Sequence, residues 1–593
     1  MCARALSGAF GLKLDGSRVR RIGYFGLALG LLLAFLSLLD LVHPKVYFAV
    51  KRVSIWEYFT LRWEPLPYLL ALSTVPLLIS YDRRLALGSL LVLFGMIFFG
   101  YSTQLLVSLV WLALVVAIAY KRVRWGETLS YLFLIVLTIT GVVFAYLLLF
   151  PALPWSIPIL DDAALTWMKL YATLQPLGML SYVLIPIGLL IPFYIEMIRE
   201  GNLSDVLSRL NAKTRIQEFL DGRSTMILLV SSLVLSAYLS IYGYFPKLNP
   251  ELKPTGVDIA YFYLPALSAL MKSNDPVRFS FVNLSDRPLF YLFLYGVRSA
   301  THLPTLFILE FMPAFLLPAL VASYYYVSLK LLNSRSMASL VALMTVAGIQ
   351  TTVGLYSSFQ ANMIALILAN ALVGVALFWR GSTMKYITVG SLSFIIPFIH
   401  PYTSLYYCAI LAVVLLVEAW RKRKLDYVLT MSVLVVSAYL SSPVTSYMAS
   451  GKNVPPMGSA VRVAGGMIKP DNLFSFAKDT VYLFTTFYSG FIANSIYFAL
   501  ALLGLTRVLR LELTETAEAF LVASALTLLP IPLVSYSLAS RLLFNAPLQI
   551  YAAIGARSIK WKILSVSLVA LSLSYALQSV SNLGFLSISH VYL

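Results

Sequence analysis

Residues 304–329 read PTLFILEFMPAFLLPALVASYYYVSL, twenty-six residues with three prolines and one charge, Glu310. About 20 apolar residues in a helix cross the hydrocarbon core of a bilayer, so this stretch is long enough to span. Outward on both sides the same texture recurs. Apolar runs at 23–42, 66–80, 85–100, 102–120, 129–150, 176–198 and 224–243 precede it. Those at 337–355, 361–379, 386–399, 404–420, 426–442, 490–506, 518–537, 541–556 and 563–580 follow. The chain of 593 residues is 60% hydrophobic and only 12% charged, with a mean hydropathy of +0.85. A soluble domain carries about 25% charge. The pattern therefore predicts an all-α polytopic membrane protein with about 17 transmembrane helices, and it excludes a cytosolic enzyme, a disordered chain and a disulfide scaffold.

The two cysteines, Cys2 and Cys408, form no metal-binding spacing and no expected disulfide. The net charge of +19 comes from short basic groups between apolar runs, such as Arg421-Lys422-Arg423-Lys424. That distribution orients a membrane protein rather than tracking a nucleic acid. Placing the basic groups inside puts the N-terminus in the cytoplasm and, with an odd number of spans, the C-terminus outside. The first run is too long, and its flank too poor in small residues, for a cleaved signal. A plasma-membrane location follows as the expectation.

Two modules are expected: six spans over 1–200, and eleven over 224–593 with long outer loops at 244–303 and 443–489. A polar cytoplasmic connector, 201–223, joins them. Ionisable groups near hydrocarbon are costly and tend to be functional. Six features of the second module map to the outer side: Asp258, Asp286-Arg287-Pro288, Glu310, His400-Pro401-Tyr402-Thr403, Lys469-Pro470-Asp471 and Arg541. Asp258 opens an apolar run of helical period, where it either caps the helix or serves as a general base at the membrane surface. Asp161-Asp162 in the first module reads as solvated surface. No phosphate-binding glycine loop of the nucleotide-binding type is present.

The order of these parts is similar to the GT-C superfamily of membrane glycosyltransferases. The residues that carry the resemblance are GVDIAYFYLPAL at 256–267, SDRPLFYLFLYGVR at 285–298, HPYTSLYY at 400–407 and ASRLLFNAPLQIYAAIGA at 539–556. It covers about 224–593, and nothing in 1–200 shares it. The resemblance implies a sugar donor linked to polyprenyl phosphate and an extracytoplasmic glycan, lipid or protein acceptor. It implies Asp258 as catalytic base, with Arg287, His400 and Arg541 holding donor and Tyr261, Tyr263 and Tyr402 stacking on sugar. The single Asp258, in place of an adjacent acidic pair, departs from several subfamilies. No large soluble C-terminal domain or WWDYG-like signature is present, which sets the chain apart from oligosaccharyltransferases. No cofactor or nucleic acid is expected, and a divalent metal is left open. A secondary transporter or lipid flippase, and a non-catalytic scaffold with a transferase-like fold, are the alternative readings.

Overall fold

A computed structural model of the chain describes residues 16–41, 66–81, 91–96, 101–120, 123–153, 157, 160, 214–215, 218–250, 255–256, 258–284, 286–448, 494–530 and 536–591. Apart from one two-residue parallel pairing, the regular elements among them are helical. Eight helices are long and apolar enough to cross a membrane: Trp125–Ala152, Gly222–Tyr242, Thr305–Leu332, Arg335–Leu355, Gln360–Phe378, Pro401–Lys422, Leu425–Thr445 and Lys562–Val580. Each coincides with an apolar run read from the sequence. The expected span 176–198, the acids Asp161 and Asp162, and Lys469 with Asp471 lie outside the described residues.

Three expected spans have a different shape. The run 66–80 is two helices, Leu66–Ser73 and Val75–Tyr81, broken at Thr74. Pro76 lacks the N–H that a continuous helix would need there. The run 541–556 divides likewise into Tyr536–Asn545 and Leu548–Ser558 around Pro547. The helix within 518–537 is Glu515–Leu526 and ends before Pro530.

A contiguous core of buried side chains runs from Leu239 to Val580. A separate cluster gathers Tyr24, Leu27, Leu70, Leu77, Leu105 and Leu112. The Trp125–Leu149 helix touches both: Trp125 and Tyr131 pack against the smaller cluster, and Phe144, Leu147 and Leu148 against the larger core. The hydroxyls of Tyr238 and Tyr242 donate to the carbonyls of Leu148 and Leu147, tying the same helix to the larger core.

Lipid is as apolar as leucine, so close packing and polar contacts, more than burial from water, hold such helices together. Polar side chains between helices supply the second. Asn494 Nδ2 donates to the carbonyls of Ala347 (3.0 Å) and Ser572 (2.9 Å), and Asn370 Nδ2 to Ser323 Oγ (2.9 Å). Glycine supplies the first. Ser495–Val508 and Leu548–Ser558 cross backbone against backbone: a Cβ on Gly504 would strike the Tyr551 carbonyl, and one on Gly555 the Leu500 carbonyl. Because the obstacle is backbone, Gly555→Ala forces the helices apart, at a cost of about 1–3 kcal/mol typical of overpacking. A lowered melting temperature of the purified full chain is the expected result. An unchanged one would show that the crossing is looser than described.

Just before the Gly222–Tyr242 helix, Glu218 docks on the larger core. Glu218 accepts hydrogen bonds from the backbone N–H groups of Arg335 (2.7 Å) and Ser336 (2.9 Å) and from the Ser336 hydroxyl. It thereby caps the exposed start of the Arg335–Val346 helix, supplying acceptors to N–H groups that have no partner within the helix. Thr214–Arg215 pairs in parallel with Leu511–Glu512 beside it.

Candidate functional site

Local sequence fixes the backbone at three helix starts. Arg287 and His400 each precede a proline that opens a helix, and proline pushes the preceding residue out of the helical region. Arg287 accordingly sits at φ −154°, ψ 55° before Pro288–Thr301, and His400 at φ −155°, ψ 98° before Pro401–Lys422. Asp258 precedes a five-residue π turn, Ile259–Tyr263, that runs into Leu264–Met271. Such turns recur at functional sites. The Asp258 carboxylate makes no capping hydrogen bond to this turn, so it does not serve as a helix cap.

Arg287 organises one half of the site. Its Nε donates to Asp286 at 2.8 Å and its Nη1 to the Tyr263 hydroxyl at 3.2 Å. Tyr263 is fully buried against Phe290 and Tyr291. The Asp258 carboxyl is pushed up to about 7. Burial is the main cause, opposed by the Arg287 charge and a hydrogen bond from Tyr263, while Asp286 adds to the rise. A carboxyl poised there is divided between acid and base at neutral pH, which suits proton transfer.

The other half is a knot of amides and hydroxyls. Asn545 Nδ2 donates to the Arg541 carbonyl (2.8 Å), which turns Asn545 Oδ1 toward the Thr403 hydroxyl, a donor at 2.7 Å. Asn362 Nδ2 donates to the same Thr403 oxygen (2.8 Å), and His400 Nδ1 lies 2.7 Å from it. His400 Nδ1 is thus committed to the knot, with Nε2 on the far side of the ring. Arg541 lies over the Tyr402 ring, its Cζ 3.9 Å from the centroid, a cation–π contact. Burial first, then the charges of Arg287 and Arg541, drive the His400 pKa well below its ordinary value and hold the imidazole neutral.

That shared effect of two arginines on one buried ring joins the halves. Arg287 and Arg541, at the two ends of a stretch of about 250 residues, both lie near enough to His400 for their charges to act on it. Arg287 acts also on Asp258, and Arg541 stacks on Tyr402. Tyr261 does not turn inward with them. It is 54% exposed, whereas Tyr263 on the same turn is buried. The cluster is flanked by an apolar cavity of about 240 Å³, lined by Leu289, Phe290, Phe293, Leu316, Ile364 and Ile399 among others. Leu289 and Ile399 are sequence neighbours of the arginine–proline and histidine–proline turns.

Set against protein-family models, curated proteins and solved structures, the chain matches none. What the site can do follows from its own groups. Two guanidiniums and two helix N-termini suit an anion, with the forked donors of arginine matched to phosphate oxygens. The carboxyl can take a proton. The cavity can take an apolar chain. Asn362 and Asn545 were not among the residues singled out from sequence. Each is an uncharged amide in a largely apolar run, a weak signal of a functional position.

Proposed function

We propose that the chain is an integral-membrane glycosyltransferase of the GT-C type, moving a sugar from a polyprenyl-phosphate-linked donor to an extracytoplasmic glycan, lipid or protein acceptor. What supports this reading is an apolar cavity lined by Phe290, which packs on Tyr263, the partner of Arg287, with the raised Asp258 carboxyl on the same turn. A lipid-linked sugar phosphate has the matching parts in the matching order: apolar chain, anionic phosphate, and a sugar carbon to be attacked. Two modules, a cytoplasmic N-terminus and an outward-facing site in the plasma membrane belong to the same proposal.

In this mechanism Asp258 accepts the proton of an acceptor hydroxyl as its oxygen forms a bond to C1 of the sugar. The C1–O bond to phosphate breaks, and its electron pair leaves on the phosphate oxygen. Arg287 and Arg541 stabilise the charge that develops there, an effect worth most where water is excluded. His400, kept neutral, hydrogen-bonds the sugar or phosphate through Nε2, and Tyr402 supports Arg541 from behind. Attack opposite the leaving phosphate inverts C1.

The test is transfer of radiolabelled sugar from a polyprenyl-phosphate donor pool by the full chain in lipid vesicles, with soluble and lipid acceptors present. Labelled product is the expected result. Donor that crosses the bilayer without losing its sugar would replace the transferase reading with a flippase. The pH profile adds a second check. Asp258 is active as the carboxylate, so transfer falls as pH drops through about 7. A flat profile from pH 5 to 8 would remove Asp258 as the base.

A further inference from the structure

Behind the Asp258 turn lies a second polar feature, which the proposed transfer does not use. Glu310 stands in the Thr305–Phe311 helix, two residues before the Met312–Pro313 joint that leads into Pro313–Leu332. It is 4% exposed. Its Oε2 accepts a hydrogen bond from the Thr255 hydroxyl at 3.3 Å. Its Oε1 has no hydrogen-bond partner among the described residues. Glu310 lines a cavity of about 20 Å³ together with Ser240, Tyr244, Thr255, Pro313 and Ser358. That is room for one water-sized occupant.

The described neighbours leave an ionised Glu310 unsatisfied, because its Oε1 has no donor. Buried polar atoms are almost always paired, so an orphan calls for an occupant. The other polar groups at the cavity are hydroxyls, whose oxygens keep lone pairs when the hydrogen is given elsewhere. Ser240 donates to the Ser236 and Pro313 carbonyls (2.9 and 3.1 Å), and Tyr244 and Thr255 bond each other. Among the described residues no cationic side chain lines the cavity. Hydroxyl oxygens around one carboxylate form a hard donor set, the kind that alkali and alkaline-earth cations prefer. A single positive charge neutralises the carboxylate, whereas a divalent ion would leave a net charge buried, which is costly.

We propose that this cavity binds one monovalent cation of sodium's size, held by Glu310 Oε1 and by the hydroxyl oxygens of Ser240, Tyr244, Thr255 and Ser358. Thr255 and Gly256 precede Asp258 by three and two residues in the sequence. A Cβ on Gly256 would collide with Ser358, so the segment is already pressed against the cavity wall. The bound cation pins this segment and thereby positions Asp258. The site stands whether or not the chain transfers sugar.

The experiment is thermal unfolding of the purified full chain in detergent, in sodium, potassium or choline chloride at equal ionic strength, paired with direct binding of radioactive sodium. The expected result is a saturable rise in melting temperature with sodium, absent in choline, and sodium binding at one site. In Glu310→Gln, which keeps shape and removes charge, both responses disappear. In Ser358→Ala the half-saturating sodium concentration rises at least tenfold. Identical melting in the three salts with no bound sodium would overturn the proposal in favour of a water beside a protonated carboxyl. So would an unchanged sodium response in folded Glu310→Gln. Should Glu310→Gln fail to fold, an unaltered response in Ser358→Ala overturns it instead.

Discussion

Asp258→Asn is expected to lose about 10²–10⁴-fold of sugar transfer, the contribution typical of a positioned general base. The substitution keeps the shape of the side chain and removes its ability to accept a proton. The uncharged amide also spares the fold a buried carboxylate, so the variant should melt no lower than the wild type. Loss of turnover without loss of stability separates catalysis from architecture. Binding of the donor should survive, because the groups assigned to phosphate are unchanged. Full activity in matched amounts of folded Asp258→Asn would eliminate the base and, with it, the mechanism given above.

Arg287→Ala should lower kcat/KM by about 10²–10³-fold, the loss seen when one preorganised group facing a developing anion is deleted. A second consequence tells this role from a structural one. The Arg287 charge draws the Asp258 carboxyl down against the rise that burial causes. Without it the carboxyl titrates higher still, and the acid limb of the pH profile moves to higher pH in whatever activity remains. Arg287→Lys restores charge but not the fork that reaches Asp286 and Tyr263 together, and should recover only part of the rate. A residue that merely braced the turn would lower yield and melting temperature and leave the pH limb in place. That result would take Arg287 out of the site.

Helices of membrane length were legible because an uninterrupted apolar run has few other readings. Gly222–Tyr242 and Gln360–Phe378 lie within two residues of the runs at 224–243 and 361–379. The breaks at Thr74 and Asn545–Pro547 were less so, since one or two small polar residues and a proline are also common inside spanning helices. At the site, ionisable residues stood out: Arg287 and His400 before prolines and, in its own run, Arg541. The knot that orients them did not. Asn362 and Asn545 meet across 183 residues, a distance over which one sequence carries no signal. The choice between Tyr261 and Tyr263 was hidden for another reason. Counting at 3.6 residues per turn fails across a π turn, whose wider pitch decides which ring faces inward.

Under the proposed transfer, the apolar cavity that begins at Leu289 has a kinetic consequence. A donor whose chain rests among Leu289, Phe293 and Ile364 arrives from the plane of the bilayer, not from the aqueous bulk. The concentration such an enzyme responds to is the donor's mole fraction among lipids. Adding inert phospholipid at constant donor per millilitre would then slow the reaction, although every molarity in the tube stays the same. Half-saturation would be a surface density, set by how crowded the membrane is with carrier lipid.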